Sequence, residues 1–291
     1  MSVRSSTPSD LRQAHDARHT RRQYDGIVKP QAHAGADTIV DLRSVDGLGM
    51  ALGGGGVLGA AHIGVLQVLH ERGIRPTIVA GTSAGALVGA AYAARMDPYE
   101  MEAMALRANW GTFGQFRRSP GAGILDTSGL RNTVESLGGD VLIESLPIRF
   151  GALATDVRTG ASTLLDRGSL TDAMCASIAI PGIFRPTKVN GRLLVDGGLV
   201  ANLPIEAALK LGARHVIAVR LVPEWDGLPK VRNSTMVHML EIRTDVTLIQ
   251  PKLGGMSKFI PRRIHLLIEA GRNATERVLQ DYPVVRERPT G

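Results

Sequence analysis

Two glycine-framed stretches hold the residue types that could do chemistry. In Gly81-Thr82-Ser83-Ala84-Gly85 the pattern G-x-S-x-G follows the short apolar run Pro76 to Ala80 and precedes an Ala-rich run with helical character. A serine in that context can stand on a sharp strand-to-helix turn with its hydroxyl exposed as a nucleophile. Glycines two residues to either side remove the Cβ atoms that would collide there. Gly, Ser and Ala also combine in ordinary turns, so this motif alone is a hypothesis. The second stretch, "ALGGGGVLGAAHIGVLQ" from Ala51 to Gln67, admits two readings. Gly54, Gly56 and Gly59 satisfy G-x-G-x-x-G, the turn that receives a dinucleotide pyrophosphate. Consecutive glycines at a strand-to-helix junction can equally present backbone N–H groups to an oxyanion. A dinucleotide site calls for an acidic residue at the end of the second strand, where this chain has Gly81, Thr82 and Ser83. That absence favours the oxyanion.

A nucleophilic serine needs a base, and the sequence offers two kinds. Asp196 ends the run "RLLV" and precedes Gly197 and Gly198, which is either a plain turn or a carboxylate delivered at a strand end. The chain order Ser, Asp, His would instead suit a Ser–His–Asp esterase using His215 or His238. Neither histidine falls in an obvious strand-end loop, and each reads as a surface or core residue. His62 sits beside the glycine loop but inside the first helix, where a hydrogen-bonded structural role is expected. Asp156, at another strand end, is the rival carboxylate and a candidate for a supporting position.

The elements that must position these groups can be read from hydropathy. "LGMAL", the glycine loop, a helix with Ile63, Val65, Leu66 and Leu69 at helical spacing up to Gly73, and the strand "PTIVA" form a βαβ unit. Such a unit implies a right-handed crossover and a parallel sheet covered by helices. Both loops then open on the carboxyl edge of the sheet, where ligands bind in such folds. Asp97 to Leu146, with Trp110, Phe113 and Phe116 among glycines and arginines, reads as a cap or lid. Strands return at "IRFGALATDV", "ASTLLD", "GRLLVDGG" and "HVIAVRLV", with a helix over "SLTDAMCASIAI" and a late helix over "RRIHLLIEAGRNATERVLQDY". The expected fold is α/β, three layers α/β/α around a central, mainly parallel sheet. Residues 1–47 are expected to form a polar tail, 48–222 the catalytic domain, and 223–291 a basic, mainly helical extension packed on it.

Composition narrows the functional classes. A chain of 291 residues, 44% hydrophobic, can bury a substantial core. No apolar run reaches the length of a spanning helix, and the first residues lack the apolar middle of a signal peptide, so a cytoplasmic protein, with room for peripheral membrane contact, is expected. The lone Cys175 allows neither an internal disulfide nor a Cys-based metal site. The net charge is +7, with fourteen Lys and Arg against eight Asp and Glu from Lys210 onward. This basic flank suits an anionic membrane face. Aromatics make up only 4% and do not interleave with the basic residues, so no nucleic-acid partner is expected.

Three blocks in order, "GGGGVLGAAHIGVL", "GTSAG" and "ASIAIPGIFRPTKVNGRLLVDGGLVANLP", resemble the patatin-like phospholipases, bacterial members especially; "LATDVRTG" from Leu153 to Gly160 joins them. The resemblance runs from about Met50 to about Val222. It implies a Ser–Asp dyad without histidine: Ser83 as nucleophile, Asp196 as base, and Gly54, Gly55, Gly56 and Gly59 around the oxyanion. It implies a serine acyl hydrolase of the phospholipase A or lipid acyl hydrolase type, acting on lipid or other acyl esters, with no metal and no cofactor. One position departs from the pattern. The family usually has Arg or Lys where this chain has Leu58, which keeps the backbone donors but removes a positive charge. A fold-preserving, nonenzymatic membrane-binding protein is the alternative from another class.

Overall fold

The structure is a computed structural model that describes residues 40–107, 115–116, 125–136, 140–221, 239–256 and 263–280. The chain divides after Val40, and the unit Asp41–Gly291 carries the fold. Leu42, within the stretch read as a polar tail, is buried in its core.

β1 (Leu48–Leu52), a 3₁₀ turn (Gly56–Gly59), α1 (Ala60–Glu71) and β2 (Ile78–Thr82) form the βαβ unit that the sequence predicts. Every residue of β1 and β2 is buried, as expected of parallel strands covered on both faces. They pair from Gly49–Ile78 to Leu52–Gly81, so the glycine loop and Ser83 leave the same sheet edge side by side. α2 (Ala84–Ala93) and α3 (Pro98–Arg107) follow, then the short pair β3 (Gln115–Phe116) and β4 (Leu125–Asp126), and α4 (Ser128–Ser136). Next come β5 (Arg149–Asp156), β6 (Ser162–Leu165), α5 (Leu170–Ser177), β7 (Thr187–Val189) and β8 (Arg192–Asp196). The fold closes with α6 (Ile205–Lys210), β9 (His215–Val219), β10 (Val246–Ile249) and α7 (Ile264–Val278).

Among the described residues the central sheet has eight strands in the order β10-β9-β1-β2-β5-β8-β7, with β6 also on β5. The first five are parallel, and β6, β7 and β8 run antiparallel to their neighbours. One face packs Met50, Leu52, Val79, Phe150 and Ile217 against apolar residues of α1, α2, α5 and α7. The other packs Ala51, Ala80, Leu153, Val216 and Ala218 against α6. The result is the expected three-layer α/β/α architecture. α7 lies so close along α1 that a Cβ on Gly64 would drive into the Ile268 carbonyl.

Two elements differ from the sequence reading. α3 belongs to the helical layer and not to a cap: it packs on α1, where Gln67 Nε2 donates to Glu102 at 2.6 Å. An amphipathic helix of this kind must bury its apolar stripe, and α1 supplies the surface. Trp110 and Phe113 lie outside the described residues. β10 adds a parallel strand to β9 from within the stretch read as mainly helical.

The register around β5 fixes the site. β2 pairs with β5 over Arg149–Leu153, β6 over Ala152–Thr155, and β8 over Ala154–Asp156. β6 shares β5 residues with both of the others, and a strand has only two edges. β2 and β8 therefore occupy the same edge, β8 taking over where β2 stops. Because β2 is parallel to β5 and β8 antiparallel, their C-terminal ends meet head to head, Thr82 opposite Leu153 and Asp196 opposite Ala154.

Candidate active site

Ser83 has φ +53° and ψ −120°, a region that a residue with a Cβ rarely enters. Holding it there stores roughly 1–3 kcal/mol of strain, which the surroundings must offset. The flanking glycines have the role expected of them: a Cβ on Gly81 would run into the Gly85 carbonyl, and one on Gly85 into the Leu52 carbonyl. The Ser83 amide donates to Ser177 Oγ at 2.9 Å, and that hydroxyl donates in turn to the Leu153 carbonyl at 2.7 Å. Ser177 is fully buried at the last turn of α5. The Ser83 carbonyl accepts from Ala86 and Leu87 and so opens α2 directly behind the turn.

Asp196 ends β8 facing this turn. Its carboxylate accepts the Gly198 amide at 2.6 Å and interacts with the Ser83 hydroxyl. Its backbone is fixed by a bond from its amide to Ala179 O and one from Thr155 Oγ1 to its carbonyl at 3.0 Å. Burial pushes the Asp196 carboxyl up to about 6, against smaller downward pulls from Ser83 and the Gly198 amide. Desolvation penalises the charged form, and no cation among the described residues compensates.

The glycine loop is stitched into place from below. Gly53 N donates to Val219 O, and Gly54 N to Asn202 O at 3.1 Å. Asn202 follows the Asp-Gly-Gly turn, and a Cβ on Gly54 would come within 2.6 Å of its side-chain oxygen. The amide of Gly54 is thus engaged in fastening one loop to the other. Gly59 serves close packing: its Cβ would lie 2.5 Å from that of Ala84. The amides of Gly55 and Gly56 have no acceptor among the described residues. Gly56 takes φ +58° at the start of the 3₁₀ turn, and Gly55 is flanked by Leu58 and Leu221. Leu58 is 3% exposed and packs into the core.

The histidines stand apart from this chemistry. His62 is fully buried and bonds through Nε2 to the Gly53 carbonyl at 2.8 Å. Burial holds it down at about 4, so it is a neutral ring that donates from Nε2 and anchors the loop. His215 starts β9 opposite Leu48, at the amino edge of the sheet, and bonds Thr247 at 2.8 Å. Four residues of strand separate that level from the glycine loop, roughly 13 Å. His238 lies outside the described residues. Asp156 turns its carboxylate onto the amides of Arg158 and Thr159, at 2.9 and 3.0 Å; the Thr159 amide first, then that of Arg158, holds it below the usual carboxylate range. It caps its own turn and does not reach toward Ser83. Among the described residues no three His, Cys, Asp or Glu gather into a metal-binding group, and no helix is long and apolar enough to cross a membrane.

Sequence reasoning passed over Ser177 and Asn202. A serine inside the apolar run "AMCASIAI" is itself a signal, because a buried hydroxyl must find partners.

A strained serine at the end of a parallel strand, beside a helix N-terminus and a glycine loop, defines the nucleophile-elbow class of α/β proteins. Within that class the family is specific: residues 50–209, more than half of the chain, match the profile described as Patatin-like phospholipase, and the chain belongs to that family. It is 43% identical over 173 residues to an uncharacterised NTE family protein of Mycobacterium tuberculosis, covering 59% of this chain and 48% of that one. It is 31% identical over 200 residues to neuropathy target esterase sws of Drosophila melanogaster, covering 66% of this chain and 14% of that one. The chain thus spans less than half the length of these curated relatives. Among solved structures it is similar to VipD from Legionella pneumophila, with TM-score 0.48 and 14% identity, covering 82% of this chain and 67% of that one.

Proposed function

We propose that this protein is a serine acyl hydrolase that cleaves carboxylic esters of lipids through a Ser83–Asp196 dyad. The observation that carries the reading is the head-to-head meeting of β2 and β8 on one edge of β5, which aims the carboxylate of Asp196 at the strained turn of Ser83. Membership of the patatin-like phospholipase family supports a lipid ester as substrate.

The chemistry follows from the groups present. Asp196 takes the proton of Ser83 as Oγ attacks the ester carbonyl, and the carbonyl oxygen becomes an oxyanion. Gly55 and Gly56, whose amides are not engaged elsewhere among the described residues, are the donors assigned to it; Gly54 and Gly59 hold the loop in shape. The protonated Asp196 then gives its proton to the departing alkoxide, leaving an acyl group on Ser83. Water attacks that ester with Asp196 again as base, releasing a fatty acid and regenerating the serine. A carboxyl near 6 suits both tasks at neutral pH, since it is ionised enough to accept and acidic enough to return the proton. The neutral, distant His215 has no step to perform.

A fluorophosphonate probe and a short-chain p-nitrophenyl ester test the assignment. Labelling and turnover in the native protein, both absent in Ser83→Ala, are expected; equal labelling of the two would refute it. A lipid panel then sets acyl and head-group preference.

A further inference from the structure

Among the described residues, five of the basic groups from Lys210 onward are engaged in ion pairs. Lys210, Arg214, Arg220, Arg243 and Arg272 pair with Glu206, Asp46, Glu241, Asp245 and Glu71. A different cationic surface stands at the rim of the candidate site. β7 and β8 are joined by Asn190-Gly191, with φ +47° and +77°, the pair of left-handed residues that makes a tight two-residue hairpin. Next to the hairpin, the end of β5 turns over at residues 157–160. Val157 N donates to Leu193 O at 2.9 Å, and Leu193 stands opposite Lys188. Val157, Leu193 and Lys188 therefore form one row that runs from the turn after β5 across β8 to β7. Val157 is 49% exposed and Leu193 47%. Lys188 in that row is exposed, as are Arg158 and Arg192, the chain neighbours of Val157 and Leu193, and Arg185, three residues before Lys188; none of the four joins an ion pair among the described residues. The nearby Asp156 is buried, its carboxylate turned inward onto the Arg158 and Thr159 amides.

We propose that this projecting rim, with apolar Val157 and Leu193 beside Lys188 and with Arg158, Arg185 and Arg192 on the neighbouring residues, is the surface by which the protein docks, hairpin first, on an anionic lipid bilayer. Two exposed aliphatic side chains enter the interface, and four cations meet the head groups; near such a surface each basic residue strengthens binding roughly fivefold. The location fits the purpose. Val157, the first residue after β5, lies three residues beyond Ala154, the level of Asp196, about 10 Å along the chain at 3.3 Å per residue. A lipid drawn from the bilayer at this rim has only that distance to travel to Ser83. A second copy of the chain is the poorer occupant: β7 is an edge strand, and pairing two such edges would oppose two sets of cations. The inference rests on the lipid-hydrolase reading for its purpose, while the binding itself can be measured apart from catalysis.

Vesicle sedimentation with phosphatidylcholine alone and with added phosphatidylglycerol reads the binding. The native protein is expected to partition onto the anionic vesicles, weakening with salt. The variant Arg158→Gln/Lys188→Gln/Arg192→Gln is expected to lose roughly a hundredfold in partition, with native melting temperature and native turnover of the soluble p-nitrophenyl ester. Leu193→Asp is expected to lose binding with the same two controls intact. Native-like binding by both variants would overturn the proposal, as would a native protein that ignores anionic vesicles or dimerises through this edge instead. A native protein that binds vesicles through these residues yet leaves the soluble ester untouched would refute the catalytic reading and leave the docking surface supported.

Discussion

Asp196→Asn is expected to make the protein both inactive and more stable, in a way that depends on pH. In the folded chain the carboxyl is held near 6, against an ordinary value of 3.8. The unfolded chain therefore releases this proton first as pH rises, and the folded state resists. Below about pH 4 both states are protonated and the site contributes nothing. Between 4 and 6 the native protein loses stability progressively, and above 6 the loss is complete at about 3 kcal/mol, the free-energy equivalent of that displacement. Asparagine does not ionise, still accepts from Gly198 and fills the same space. The variant should match the native melting temperature near pH 4 and exceed it at pH 8 by about 6–12 °C, taking a few degrees per kcal/mol for a domain of this size. Its turnover of a short-chain ester should fall by a factor of about 100 to 10,000, the usual worth of a positioned base. The measurements are differential scanning fluorimetry across pH 4–8 and steady-state kinetics. A stability difference that does not grow between pH 4 and 6, or a folded variant with appreciable activity, would refute the account of Asp196 as a buried base.

Three further outcomes follow from the same geometry. Ser83→Gly should remove activity and raise stability by about 1 kcal/mol, because glycine occupies φ +53° without strain; a lower melting temperature would show that the turn is not strained. Ser177→Ala strands the buried Ser83 amide, so about 1–3 kcal/mol of stability should go, with kcat falling more than KM changes. An unaltered kcat would mean that the elbow does not depend on that hydroxyl. His62→Phe removes a ring held near 4 against an ordinary 6.5, whose contribution is complete above 6.5 and lost as pH falls toward 4. The variant should therefore lack that part of the native acid destabilisation, about 3 kcal/mol in full, while the freed glycine loop costs it activity at pH 8. Parallel pH–stability curves for the two proteins would contradict a buried neutral histidine.

Local pattern determined much of this protein. A buried apolar run, four glycines, a helix-period run and a second strand can only be a βαβ unit, and G-x-S-x-G at its end names Ser83 because the steric demand of the turn is satisfied within five residues. Asp196 was legible for the same reason, a carboxylate at a strand end before two glycines. Partnership between distant segments was not legible. That β2 and β8 share one edge of β5 is a matter of register among three strands, and register depends on the packing of whole faces. Only the assembled sheet buries Asp196 deeply enough to raise its carboxyl to about 6. Only it engages the Gly54 amide with Asn202, places Ser177 under the elbow and leaves His215 at the far edge. The sequence also put the excess of positive charge in the last third of the chain, but folding brings Asp46 to Arg214 and Glu71 to Arg272 from distant segments and leaves exposed cations on the β7–β8 hairpin. Charge counts add along a chain, whereas the field at a surface depends on which charges the fold brings together.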